Sequence, residues 1–204
     1  MILQKNTIAF FGLFAATLAW GLSFGLVKGA IHEVGPWPFL VWRFLLASLV
    51  FSLMFPRKLF KAKRNLVKKV AVLGLLLSLA IGSQTIGLLH TTASHSSFLT
   101  SLYVPLTPFF GWLILRQPGN RRQLAVIALA LLGLYFLSVP EGVSQFLIGK
   151  GDSLTLLTAV VSAVHIIVTE KYSRAEPDSL ALGLWQFISC GFCICLFAGV
   201  DHFS

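Results

Sequence analysis

Seven apolar runs, each near the length of a bilayer crossing, leave this chain few folds other than a bundle of membrane helices. They cover roughly 7–27, 39–55, 70–89, 98–115, 124–139, 154–169 and 180–200. A helix rising about 1.5 Å per residue needs about 17–25 apolar residues to cross a ~30 Å hydrocarbon core, so the fifth and sixth runs sit at the short limit. Hydrophobic residues make up 56% of the 204 and charged residues 11%, with a mean hydropathy of +0.85. The reading is an all-α integral membrane protein, a multi-span helical bundle with about seven helices present. The first run is expected to stay in place as a helix, because a secretory apolar region spans only about 7–15 residues and this one continues through Trp20 and Phe24.

A formal net charge of +9 and a pI near 9.9 would suit nucleic acid in a soluble protein, but here the basic residues lie in the connections. Arg57, Lys58, Lys61, Lys63, Arg64, Lys68 and Lys69 separate the second and third runs, and Arg116, Arg121 and Arg122 follow the fourth. With Lys5, Lys171 and Arg174, one side collects thirteen of the sixteen basic residues, against Lys28 and Lys150 on the other. The positive-inside rule then sets the N-terminus in the cytoplasm and the end of the seventh run outside, in a bacterial plasma (inner) membrane. The charge reads as topology and attraction to anionic lipid, with no nucleic-acid partner.

The sixteenth basic residue, Arg43, stands inside FLVWRFLLASLVF. A cation at membrane depth costs at least about 2.5–3.5 kcal/mol, so a compensating role is expected: contact with an anionic group in a pathway, or snorkelling past Pro38 to headgroups or backbone carbonyls. All seven acidic residues, Glu33, Glu141, Asp152, Glu170, Glu176, Asp178 and Asp201, fall in loops or at helix ends. That leaves no membrane carboxylate to exchange protons for a lipophilic cation, and favours an anionic or zwitterionic substrate.

The remaining polar residues fall on faces. Thr155, Thr158, Ser162, His165 and Thr169 recur at steps of three and four, a single stripe on a helix that faces protein or water. Ser97, Thr100 and Ser101 repeat the pattern in the fourth run, continued by Pro105, Pro108 and Gly111, and the prolines predict a kink there. Gln84 is the one amide of the third run, and Tyr103 is a candidate aromatic wall. Each pattern has two readings, helix packing through small and hydroxylated side chains or the lining of a polar path. Gly21, Gly25 and Gly29 form a small-xxx-small ladder that predicts close packing of the first helix. Read as a path, the candidates are Trp20, Arg43, Gln84, His95, Thr100, Ser101, Tyr103, Ser162 and His165.

An enzyme is not expected. His90 and His95 are five apart at a run boundary and share no helical face, and no GxSxG, HExxH or pair of intramembrane aspartates occurs. Cys190, Cys193 and Cys195, in GFCICLF, are not spaced to set three thiolates on one face. They read as packing residues, and no metal or cofactor is expected.

Two segments recur. Trp42-Arg43-Phe44 returns as Trp185-Gln186-Phe187, 143 residues later, and AWGLSFGLV precedes SAVHIIVTE by about 142. The matched runs are five spans apart, an odd number, so the second copy enters the membrane from the opposite side as an inverted repeat.

The stretches WGLSFGLVKGAIHEVGPWPFLVWRFLLAS, IGLLHTTASHSSFLTSLYVPLTPFFGWLIL, RRQLAVIALALLGLYFLS and GDSLTLLTAVVSAVHIIVTEKYSRAEP cover nearly the whole chain. They resemble the drug/metabolite transporter superfamily of the EamA type, most specifically in TASHSSFLTSLYVPLTP. The resemblance implies about ten helices in two inverted five-helix repeats around a central path, both termini cytoplasmic. It also implies movement of small metabolites, often as export of amino acids or nucleotide-related compounds. On that pattern residues 1–140 form the first five-helix repeat and 154–204 two helices of the second. The chain departs from the pattern at His95, where asparagine is usual, and in the turn RQPGN, which lacks an acidic residue. The expected partners are a small-molecule substrate, membrane lipid, and a second copy or partner chain supplying the missing helices. Without such a partner the chain is expected to carry no flux. The alternative reading is a non-transporting remnant or an assembly subunit.

Overall fold

The computed structural model describes residues 2–59, 64–116, 121–138, 149–176 and 178–202. Among these the secondary structure is helical: α1 (Ile2–Val34), α2 (Pro36–Met54), α3 (Pro56–Leu59), α4 (Arg64–Leu89), α5 (Ala93–Ser101), α6 (Tyr103–Leu115), α7 (Arg121–Ser138), α8 (Lys150–Arg174) and α9 (Ser179–His202). In hydrocarbon a helix satisfies its own backbone N–H and C=O groups, which an open strand cannot. Six helical spans are long and apolar enough to cross a membrane: Phe10–Val34, Pro36–Met54, Leu66–Leu89, Ala93–Leu115, Lys150–Arg174 and Ser179–Val200. The chain is therefore an integral membrane protein.

The expected fifth run forms α7 but is not among the six. Its first residues are Arg121, Arg122 and Gln123, which leaves 124–138, shorter than the about 17 residues a crossing needs. Val139, Glu141, Lys61, Lys63 and residues 117–120 of the RQPGN turn lie outside the described residues.

Local chemistry sets the boundaries. Gly35 joins α1 to α2 at φ +81°, a left-handed conformation that glycine adopts without a Cβ clash, and Pro36 opens α2 where its missing N–H is not needed. Thr92 caps α5 by accepting from the His95 N–H. The kink expected from the prolines falls at Leu102. Pro105 has no N–H to return to the Ser101 carbonyl, and the Leu102 N–H bonds back three residues, to Leu99 O at 3.2 Å. The two pieces, α5 and α6, make one crossing.

The centre of the bundle is α4. It packs against α8 and α9; α2 lies on α9, α5 and α6 lie on α8, and α1 touches α2, α4 and α5. Over half of the α4 span is buried, against 6% for α1. Close approach occurs at three glycines. A Cβ on Gly151 would stand 2.7 Å from Gly87 O and 2.6 Å from the His90 carbonyl carbon, and one on Gly74 would stand 2.8 Å from Cys190 N. The ladder Gly21, Gly25 and Gly29 instead meets nothing within 4 Å, so the expected packing of that face is not made among the described residues.

Polar ties close both ends. At the basic end, where the 57–69 loop lies, Lys58 pairs with Asp178 at 2.5 Å and Lys69 with Glu176 at 3.0 Å. At the opposite end Lys28 Nζ donates to Thr91 O at 2.5 Å, Thr91 Oγ1 donates to Asp152 Oδ1 at 2.7 Å, and His95 Nδ1 stands 3.3 Å from the same oxygen.

Candidate functional site

Two adjoining hollows open between α1, α2, α4 and α5–α6, and they share Trp20 and Phe24. The narrower, about 20 Å³, is lined by Arg43 from α2, Gln84 and Thr85 from α4, and Trp20 and Ser23 from α1. It holds little more than one water. The wider holds about 310 Å³ and is lined on its polar side by Thr17, Ser97, Thr100, Ser101 and Tyr103. That volume is at the lower end of small-molecule pockets, about 300–1,000 Å³. Gln84 links the two by donating through Nε2 to Thr100 Oγ1 at 3.0 Å.

Six of the nine candidate residues thus line the two adjoining hollows: Arg43 and Gln84 the narrower, Thr100, Ser101 and Tyr103 the wider, and Trp20 both. They come from five helices, α1, α2, α4, α5 and α6, that make four crossings, because each helix turns its few polar groups away from lipid. Arg43 is half-buried and forms no ion pair or hydrogen bond among the described residues. A guanidinium presents five donors in a planar fork, matched to a carboxylate. The cleft combines that cation with an amide, hydroxyls and two aromatic walls.

His95, Ser162 and His165 lie elsewhere. His95 belongs to the tie with Asp152 at the end opposite the basic loop. The stripe on α8 divides into two parts. Its upper hydroxyls pack: Thr155 and Thr158 are fully buried, with Thr158 Oγ1 2.9 Å from Ser83 Oγ and Thr155 Oγ1 3.5 Å from Ser96 Oγ. Its lower part is different. Among the described residues, His165 Nε2 and Thr169 Oγ1 are buried without a hydrogen-bond partner, as are Trp185 Nε1 and Gln186 Oε1 on α9. Sequence reasoning passed over Trp185 and Gln186 as polar groups, although the match of Gln186 to Arg43 marked the position. Cys190 lies in the apolar core with Leu40, Phe44, Ile81 and Ile194.

Outside the spans, Asp178 has its carboxyl held below the usual carboxylate range, chiefly by the hydrogen bond from Lys58 and then by the backbone N–H of Ala181. It caps α9 and ties that helix to α3.

A polar cleft between membrane-spanning helices has room for a small solute. Residues 7–139 match the EamA-like transporter family, and the chain belongs to that family of membrane transporters, whose substrates are small molecules. It is 34% identical over 182 residues, 89% of this chain and 55% of the relative, to an "Uncharacterized transporter" of Archaeoglobus fulgidus. It is also 28% identical over 171 residues, 82% of this chain and 55% of the relative, to a "Probable amino-acid metabolite efflux pump" of Salmonella typhimurium. The chain spans about half the length of the curated relatives it matches. No solved structure matches it.

Proposed function

We propose that this chain serves a secondary transporter of small zwitterionic or anionic metabolites, an exporter of amino acids or related compounds. The observation that carries this reading is Arg43, a cation without an ion pair among the described residues, in a hollow that adjoins a cleft of solute size. A carboxylate docks on its guanidinium through two parallel N–H donors, Gln84 and the hydroxyls of Thr100 and Ser101 hold the remaining polar atoms, and Trp20 and Tyr103 flank the apolar part. The name of the Salmonella relative points the same way. The protein sits in a bacterial inner membrane with the basic end and the N-terminus cytoplasmic.

The inverted-repeat reading, with 1–140 as the first repeat and 154–204 as part of a second, is supported by the packing of matched residues. Phe44 and Phe187 hold their rings 6.3 Å apart, as equivalent positions near a two-fold axis do. Alternating access then exchanges the tie at Asp152 for the ion pairs at Glu176 and Asp178.

A second reading, an assembly subunit completed by a second copy or a partner chain, is favoured by α1, whose span is 6% buried and whose glycine ladder faces open space. One pair of measurements separates the two. Purified chain in lipid nanodiscs is assayed for binding of radiolabelled neutral and acidic amino acids, and the same chain in liposomes for saturable flux. Binding with flux supports the transporter acting alone, and binding without flux supports the subunit. Arg43→Gln is expected to weaken binding about 10- to 100-fold, the loss of a charge-assisted hydrogen bond, with abundance and thermal midpoint unchanged. Loss of abundance together with binding would give Arg43 a structural role.

A further inference from the structure

We propose that His165 and Gln186 form a proton-binding site between α8 and α9, the inverted counterpart of the Arg43 hollow in the other half of the membrane. Arg43 is the seventh residue past Pro36 at the start of α2, and its match Gln186 is the seventh past Ser179 at the start of α9. Each therefore lies about 10 Å along its helix from the helix start, and α2 and α9 start at opposite ends of the bundle. His165 falls 142 residues after Ser23, which lines the hollow beside Arg43.

The polar atoms here are complementary. The Gln186 side chain on α9 comes within reach of His165 on α8, and His165 Nε2 and Gln186 Oε1 are both buried without a geometrically formed hydrogen bond among the described residues. An amide oxygen only accepts, and an imidazolium donates from both nitrogens. Protonation of His165 thus supplies a donor in every orientation of the ring and places a positive charge where Arg43 has one in the matched hollow. Thr169 Oγ1, one turn on, and Trp185 Nε1 add a further hydroxyl and a donor, also unpartnered. Below them an apolar layer of Leu66, Val70, Leu73 and Leu182 with Val168 and Tyr172 and the Lys69–Glu176 pair separate the site from the basic end.

Other groups are poorly placed for the task. On the helices packed against α8, the described ionisable side chains are Lys68 and Lys69 on α4, His95 on α5, and Tyr103 and the capping Arg116 on α6; α9, which supplies Gln186, carries the three cysteines. On α8 itself, Lys150 and Asp152 stand at one end and Glu170, Lys171, Tyr172 and Arg174 at the other. Of the groups within the span, a histidine is the one that ordinarily changes charge between about pH 5 and 8.

That this proton is coupled to solute movement rests on the transporter reading, but the proton itself is measured without solute, so failure of amino-acid binding leaves the site testable. The full chain, labelled with ¹⁵N-histidine in lipid nanodiscs, is titrated by NMR from about pH 4.5 to 8.5, with the His165 signal identified by its loss in His165→Gln. A reversible imidazole-to-imidazolium transition is expected at His165. Gln186→Leu is expected to shift its midpoint to more acidic pH by about one unit and Gln186→Glu to shift it the other way, with His32, His90 and His95 unmoved. Should one Gln186 variant fail to fold, the other still reports. A His165 that stays neutral throughout, or a midpoint indifferent to residue 186, would overturn the proposal and leave the imidazole as packing.

Discussion

Gln84 Nε2 donates to Thr100 Oγ1 across 3.0 Å, and this bond fixes the amide that separates the Arg43 hollow from the wider cleft. Gln84 is buried, so removing its partner leaves a donor without an acceptor, at about 1–3 kcal/mol. Thr100→Val, close in shape, is expected to lower the thermal midpoint and weaken amino-acid binding in nanodiscs. The double variant Gln84→Leu, Thr100→Val is expected to recover stability but not binding. Recovery of both would remove Gln84 from the proposed site.

Glycine substitutions should separate into two classes by backbone approach. Gly151→Ala drives a methyl group into the Gly87 and His90 backbone, and Gly74→Ala does the same at Cys190. Backbone cannot yield as a side-chain tip can, so each is expected to cost about 1–3 kcal/mol, read as a lower midpoint in detergent. Gly25→Ala meets nothing within 4 Å and is expected to be neutral or slightly stabilising in a helix. A loss of assembly or binding in Gly25→Ala with an unchanged midpoint would instead mark the α1 face as covered by another chain.

These contrasts show what was legible in the sequence. Arg43 and Gln84 could be picked out singly because each interrupts an apolar helix, and the cost of facing lipid then brings such groups together. The Trp-x-Phe match could be read as a repeat, and two of its residues, Phe44 and Phe187, are in contact. The pairing of α4 with α8 was hidden, since both helices are apolar on most faces and Gly87 and Gly151 carry no mutual spacing signal. The ladder at Gly21, Gly25 and Gly29 suggested an interface because small residues permit close packing, but permission does not supply a partner. The hydroxyl stripe of α8 was ambiguous for a related reason: Thr155 and Thr158 pack against α4 and α5, while His165 and Thr169 lie unpartnered, and periodicity is the same in both halves.

The ion pairs at the basic end predict a pH dependence. The Asp178 carboxyl, held low in the folded chain by Lys58 and the Ala181 N–H, favours folding while it is ionised. Its contribution is full above the ordinary aspartate value of about 4 and is lost as the pH falls through the depressed native value. Asp178→Asn is therefore expected to melt below the wild type at pH 7 and to converge with it at strongly acidic pH. A constant difference across that range would show that the pairing with Lys58 adds nothing beyond the cap.

The orientation gives the last prediction. Lys68, beside the paired Lys69, belongs to the cluster that the proposed orientation places in the cytoplasm, whereas Ser94 is exposed, one turn from Thr91 and next to His95, at the other end of the bundle. In a background with Cys190, Cys193 and Cys195 replaced by alanine, Lys68→Cys should react with a membrane-impermeant maleimide only after the cells are opened, and Ser94→Cys should react in intact cells. The two sites lie at opposite ends of α4 and the chain that follows it, so they must report opposite sides if α4 crosses the bilayer. Reaction of Lys68→Cys in intact cells would invert the orientation and place the Arg43 hollow nearer the cytoplasm and the His165 site nearer the outside. Reaction of both from the same side would mean that α4, the most buried helix of the bundle, does not span the membrane.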